Sequence, residues 1–119
     1  MELTQQLAEK IAGEWLDAWN HHDLEGIMSH YSDDIVFYSP FIQRIMNDPN
    51  GCIKGKKDLK AYFAKGLENY PDLKFEPYHV LTGVNSFVIY YKSIREMLST
   101  EVFILDDNHL IKEVRAHYK

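Results

Sequence analysis

The sequence predicts an α+β fold in which three N-terminal helices pack in a strongly curved, mostly antiparallel sheet, because its apolar residues change period once along the chain. Up to about residue 70 they recur at helical spacing, and after Pro71 they fall into four extended runs rich in Val, Ile, Phe, Tyr and Leu. The length of 119 residues is that of one domain, expected to span residues 1–119 around a single core.

The first helix is expected over about residues 4–20, where Leu7, Ile11, Trp15 and Trp19 recur at i+4 and make one broad apolar face with Ala8, Ala12 and Leu16. Asn20-His21-His22 breaks this pattern. Asp23 then suits the N-cap of a second short helix carrying Leu24, Ile27, Met28 and Tyr31 inward, and Ser32-Asp33-Asp34 is expected to end it. Ile35 to Ser39 alternates as a short strand before Pro40. Residues 41–54 show no period and contain the turn-forming run Asn47-Asp48-Pro49-Asn50-Gly51, so a long loop is expected there. A third helix begins near Lys56 or Lys57, places Leu59, Tyr62, Phe63 and Leu67 on one side, and must stop before Pro71. The runs 73–81, 85–93, 97–105 and 110–118 follow as consecutive strands, with a bulge or an unpaired edge expected at Pro77, which has no N–H for a ladder.

Composition narrows the possible roles. The formal net charge is −5 with no basic block, which gives a nucleic-acid surface little electrostatic support. The sole cysteine, Cys52, excludes an internal disulfide and a four-cysteine zinc site. Adjacent His21 and His22 cannot project together as an i, i+4 metal pair, and no phosphate-binding glycine loop is present, so no metal and no cofactor is expected. Neither a signal-peptide pattern nor an apolar run of membrane-spanning length appears, which predicts a cytoplasmic protein that acts without a membrane.

Six short motifs occur in a telling order. They are Ala18-Trp19-Asn20 followed by His22-Asp23-Leu24, Tyr31-Ser32-Asp33-Asp34, Phe37 to Pro40, Gly55-Lys56 leading into Leu59-Lys60-Ala61-Tyr62-Phe63, Tyr70 to Phe75, and the closing Val114-Arg115-Ala116-His117-Tyr118. In this order the chain resembles the SnoaL-like branch of the NTF2-like superfamily, which includes polyketide cyclases, ketosteroid isomerases and epoxide hydrolases along with members that only bind a ligand or a protein. The resemblance implies a cone-shaped barrel with a deep, mainly apolar cavity. Its walls would be Trp15 and Trp19 from the first helix, Phe37 and Ser39 from the first strand, Tyr62 and Phe63 from the third helix, and Val114, Ala116 and Tyr118 from the last strand. His79 alternates with Leu73, Phe75 and Leu81, which would place it inside the cone as a proton carrier or as a satisfied core residue.

Ketosteroid isomerases combine a tyrosine and a protonated aspartate as an oxyanion hole with a second aspartate as base. The resemblance puts Trp15 at the position of the tyrosine, Ser39 at that of the base and Glu101 at that of the protonated aspartate. Glu101 also stands out without the resemblance, because it interrupts an apolar strand face made of Met97, Ser99, Phe103 and Leu105. Desolvated there, it becomes a general acid or hydrogen-bond donor near neutral pH; the alternatives are an ion pair with Lys92 or Arg115, or a place in a subunit interface.

The function expected is the binding of a small lipophilic, aromatic or polycyclic molecule in the cone cavity, with Glu101 as catalytic acid or hydrogen-bond donor of a cofactor-free isomerase, cyclase or hydrolase. The alternative is a non-catalytic ligand-binding or dimeric protein-interaction module. Because the strands are apolar on both faces, a homodimer through the outer sheet face is expected as well.

Overall fold

The computed structural model describes residues 2–119. The first helix, α1 (Gln5–Asn20), is capped by Thr4, whose hydroxyl accepts from the Leu7 N–H at 3.1 Å. Its buried stripe is Ala8, Ile11, Ala12, Trp15, Leu16 and Trp19. His22 turns the chain at φ 55°, and Asp23 caps the short α2 (Leu24–Met28) by accepting from Gly26 N–H at 3.0 Å.

Strand β1 (Tyr31–Tyr38) begins earlier than the sequence predicts. Tyr31 belongs to the strand, not to the helix, and Ser32-Asp33-Asp34 forms an irregularity within it: the parallel pairing to the last strand holds at Tyr31 and resumes only at Val36. The Ser32 hydroxyl donates to Asp34 Oδ1 at 2.9 Å across this bulge. Pairing with a central strand therefore overrides the turn propensity of these polar residues.

The expected loop over residues 41–54 also contains regular structure. Ser39 accepts from Phe41 N–H at 3.2 Å and Pro40 occupies the first turn, which starts α3 (Pro40–Ile45), and β2 (Cys52–Lys54) pairs antiparallel with the end of β1. Gly51 links the two at φ 60°, and a Cβ there would come within 2.6 Å of Gln43 Cγ. Next comes α4 (Lys56–Asn69), with Leu59 and Phe63 buried.

Residues 73–75, expected to begin a strand, instead dock onto the end of α1. Asn20 donates to the Phe75 carbonyl (3.0 Å) and accepts from its N–H (2.6 Å), while His22 donates to the Leu73 carbonyl (3.0 Å). The meander is β3 (Glu76–Gly83), β4 (Ser86–Lys92), a 3₁₀ turn (Ile94–Glu96), β5 (Leu98–Leu105) and β6 (Ile111–Tyr118). The curved, unclosed sheet has the order β2-β1-β6-β5-β4-β3, antiparallel except where β1 runs parallel to β6. Four α-helices are present among the described residues, α3 being the one not expected. The helices and the inner sheet face enclose the core.

One register detail decides the fate of His79. Pro77 lies opposite Tyr91, and His79 opposite Tyr90, so the chain slips by one residue at Tyr78. The slip turns His79 outward, where it is exposed and stacked on Tyr90 (centroids 6.4 Å), instead of inside the cone.

The outer face of the sheet carries apolar side chains over a wide area. Leu81 is 57% and Tyr78 42% exposed, beside half-buried Val88, Val102 and Ile104. No helix among the described residues is long and apolar enough to cross a membrane.

Candidate functional site

Helices and sheet leave a cavity of about 210 Å³ with an apolar, largely aromatic wall. α1 contributes Trp15 and Trp19, the end of β1 contributes Phe37 and the following Ser39, and α4 contributes Tyr62 and Phe63. Polar groups reach the wall from Glu101 of β5, Tyr118 of β6 and Tyr91 of β4, and from Lys65 and Asn69 of α4. Val114 and Ala116, expected in the wall, share the inward face of β6 with Tyr118 but are packed into the core and do not line the cavity. His79 has no part in it.

Glu101 is inward because β5 alternates cleanly: Ser99, Glu101, Phe103 and Leu105 are buried, while Thr100, Val102 and Ile104 lie on the outer face. Its cross-strand neighbours are Ile89 and Ala116. Neither cation considered as a partner reaches it, since Lys92 pairs with Glu76 at 3.1 Å and Arg115 with Glu113 at 3.3 Å. Its partner is a neutral phenol: Tyr91 donates to Glu101 Oε2 at 2.5 Å. Burial pushes the Glu101 carboxyl up to about 7, and the Tyr91 hydrogen bond holds it back from rising further.

The phenols around it are pushed upward in turn. Burial raises Tyr91 and Tyr118 first, and the negative charge of Glu101 adds to both; a contact with Ser39 pulls Tyr118 the other way. Tyr31 and Tyr62 shift in the same direction, again by burial first. A carboxyl that changes charge near neutrality thus lies among phenols that remain protonated. Such a group can donate a hydrogen bond to a carbonyl or hydroxyl oxygen in one protonation state and accept a proton in the other.

Two residues read from the isomerase pattern do other work. The Trp15 indole N–H is committed to Tyr31 Oη at 2.9 Å in the buried core, so Trp15 offers a ligand its ring face only. Ser39 caps α3. Tyr91 was not singled out in the sequence, although pairing β4 with β5 would have shown it: Tyr91 lies opposite Ser99, one diagonal step from Glu101 on the same face. The α3 residue Phe41 was missed as well. It packs on Tyr118 (centroids 4.4 Å), and the Arg44 guanidinium lies over its ring at 4.9 Å from the centroid. Among the described residues no group of three or more His, Cys, Asp or Glu side chains is placed to hold a metal ion.

Residues 12–97 match the SnoaL-like domain. No curated protein matches the chain. Among solved structures, a SnoaL-like protein of unknown function from Burkholderia thailandensis E264 is 39% identical, with 100% of this chain and 99% of that one aligned at a TM-score of 0.97. An NTF2-like protein of unknown function from Cytophaga hutchinsonii aligns over 98% of this chain and 93% of its own at 13% identity and a TM-score of 0.73. A provisionally named polyketide cyclase from Sinorhizobium meliloti aligns over 91% and 94%, also at 13% identity and 0.73. The last two share the fold alone. With a domain match over most of its length and a relative alike from end to end, the chain belongs to the SnoaL-like family, on the NTF2-like fold.

Proposed function

We propose that the cavity binds a compact lipophilic ring compound with a carbonyl or hydroxyl oxygen, and that Glu101 acts on that oxygen as acid or hydrogen-bond donor in cofactor-free proton-transfer chemistry of the isomerase or cyclase kind. The observation that carries this reading is the buried Glu101 carboxyl in the wall of an aromatic cavity, accepting from the Tyr91 phenol and paired with no cation among the described residues. Cavity size supports a compact ligand: about 210 Å³ exceeds the ~150 Å³ that accommodates benzene but falls below the ~300 Å³ at which drug-sized pockets begin. One or two fused rings suit it. The fold is shared with a provisionally named polyketide cyclase, which agrees with this chemistry without assigning it.

The test is binding of 2-naphthol, followed by quenching of Trp15 and Trp19 fluorescence at pH 6. Saturable binding is expected, weakened about tenfold in Glu101→Gln and in Tyr118→Phe, the loss of one good hydrogen bond. Absence of binding up to millimolar naphthol, or equal affinity in all three proteins, would overturn the reading. A second reading, ligand binding without turnover, is favoured by Ser39, whose hydroxyl caps a helix at the position where the isomerases carry their base.

The outer sheet face supports a homodimer. Light scattering behind size exclusion at micromolar concentration should give twice the chain mass of 14.0 kDa, and Val102→Arg should return the monomer. A wild type that runs as a monomer at these concentrations removes the dimer.

A further inference from the structure

Two neighbouring residues on α4, Lys65 and Gly66, line the cavity without a part in the proposed proton transfer. Lys65 is the one cationic side chain in the lining of the cavity; it is exposed, and it takes part in none of the ion pairs among the described residues, which join Lys60 to Glu25, Lys92 to Glu76 and Arg115 to Glu113. Gly66 follows it in the same lining, and a Cβ built there meets nothing within 4 Å. Gly66 has no positive φ to require glycine, and glycine is among the poorest residues for a helix interior. Neither its backbone nor its packing accounts for it. What the missing side chain leaves is free space in the cavity wall beside an uncommitted ammonium. Arg44, over the lining residue Phe41, adds a second positive charge next to the lining, on a chain whose net charge is −5.

We infer that the ligand is a ring-bearing anion, held with its carbonyl or hydroxyl oxygen inside against Glu101 and Tyr118 and with its carboxylate passing the gap at Gly66 to meet Lys65. This rests on the pocket reading and adds the charge of the ligand and its orientation. Glu101, on β5, and Lys65, on α4, line the same cavity from different elements, and in this orientation the first meets the oxygen and the second the carboxylate. A reversed ligand would bring its carboxylate against the buried Glu101 carboxyl, which like charge and desolvation both oppose.

The experiment compares 2-naphthol with 6-hydroxy-2-naphthoate, which adds a carboxylate at the far end of the same rings. The expected result is about fivefold tighter binding of the carboxylate in wild type, the scale of an exposed ion pair, lost in Lys65→Gln and in 0.5 M salt. Gly66→Ala should weaken the naphthoate while raising the melting temperature. Gly13→Ala, at a helical glycine of α1 that also has nothing within 4 Å and lies outside the cavity, should raise the melting temperature without touching affinity. If 2-naphthol binds but the carboxylate brings no gain, or if the gain survives Lys65→Gln, this inference falls and the pocket reading stands. If neither compound binds, both fall.

Discussion

Replacing Trp15 with alanine is expected to lower stability by about 3–5 kcal/mol, the range for large aromatic side chains removed from a core. Trp15 is 1% exposed, and its ring contacts those of Trp19, Phe75, Tyr91 and Phe103 at centroid distances between 5.3 and 6.0 Å. It joins the helix to Phe75 in the docked segment and to two sheet strands, so no single neighbour can move in to fill the gap. The indole N–H also supplies the hydrogen bond to Tyr31 Oη, and its loss leaves a buried phenol oxygen without that donor. Trp15→Phe separates the two contributions: it keeps most of the ring packing, and its expected cost is about 1–2 kcal/mol. Urea unfolding at fixed protein concentration measures both. A Trp15→Ala protein within 1 kcal/mol of wild type would show that the aromatic cluster is not the centre of the core. Because total stability of a domain this size is typically ~5–15 kcal/mol, the alanine variant should be close to unfolding at 37 °C.

How far the site could be read in advance depended on whether local pattern or long-range pairing decided each residue. Glu101 sits on a strand whose burial alternates without a break, and Tyr118 follows Val114 and Ala116 on the inward face beyond the irregularity near Ile111, the face that the family resemblance implies. Trp15 and Trp19 lie on a helix with an unbroken i+4 stripe. His79 shows the opposite case. Pro77 predicts a bulge or an unpaired edge, and the structure has a bulge just after it, at Tyr78; a bulge inserts one residue, and every side chain after it changes face, so Phe75 stays inside while His79 goes out. The run Ile27, Met28, Tyr31 keeps helical spacing and so predicts Tyr31 in a helix, whereas the pairing with Ile111 that makes it a strand residue lies 80 positions away and leaves no local trace. For α3 the trace was present. Ser39-Pro40 is a helix start, cap followed by a first-turn proline, obscured by the turn-forming residues that come after it. Tyr91 needed the pairing of β4 with β5, whereas Lys65 and Gly66 are legible neither as motif nor as period, because their significance comes from which cavity they border.

The contribution of Glu101 to stability is expected to fall as pH rises from about 4.5 to 7. In the unfolded chain its carboxyl ionises near the ordinary 4.5, while in the fold burial holds it at about 7. Below 4.5 the group is protonated in both states and its contribution is complete. Between the two values the unfolded chain has lost the proton that the folded protein still binds, so unfolding releases a proton and each increase in pH favours it. Above 7 the folded form is ionised as well and the loss levels off, at about 3 kcal/mol for a difference of this size. Glu101→Gln removes the titration but keeps an oxygen for the Tyr91 hydroxyl. Its amide brings a donor that needs a partner, so near pH 4.5 the variant should be slightly less stable than wild type. At pH 8 the order should reverse, with Glu101→Gln more stable by on the order of 2 kcal/mol. Subtracting the two urea-derived profiles at one protein concentration cancels the other carboxylates and the histidines. Parallel profiles would mean that Glu101 ionises in the fold as easily as outside it, and its place as the acid of the cavity would be lost. A crossing of the profiles between pH 5 and 7 would mean that the fold holds its acid ready at a thermodynamic cost, the trade expected of a group kept for chemistry and not for packing.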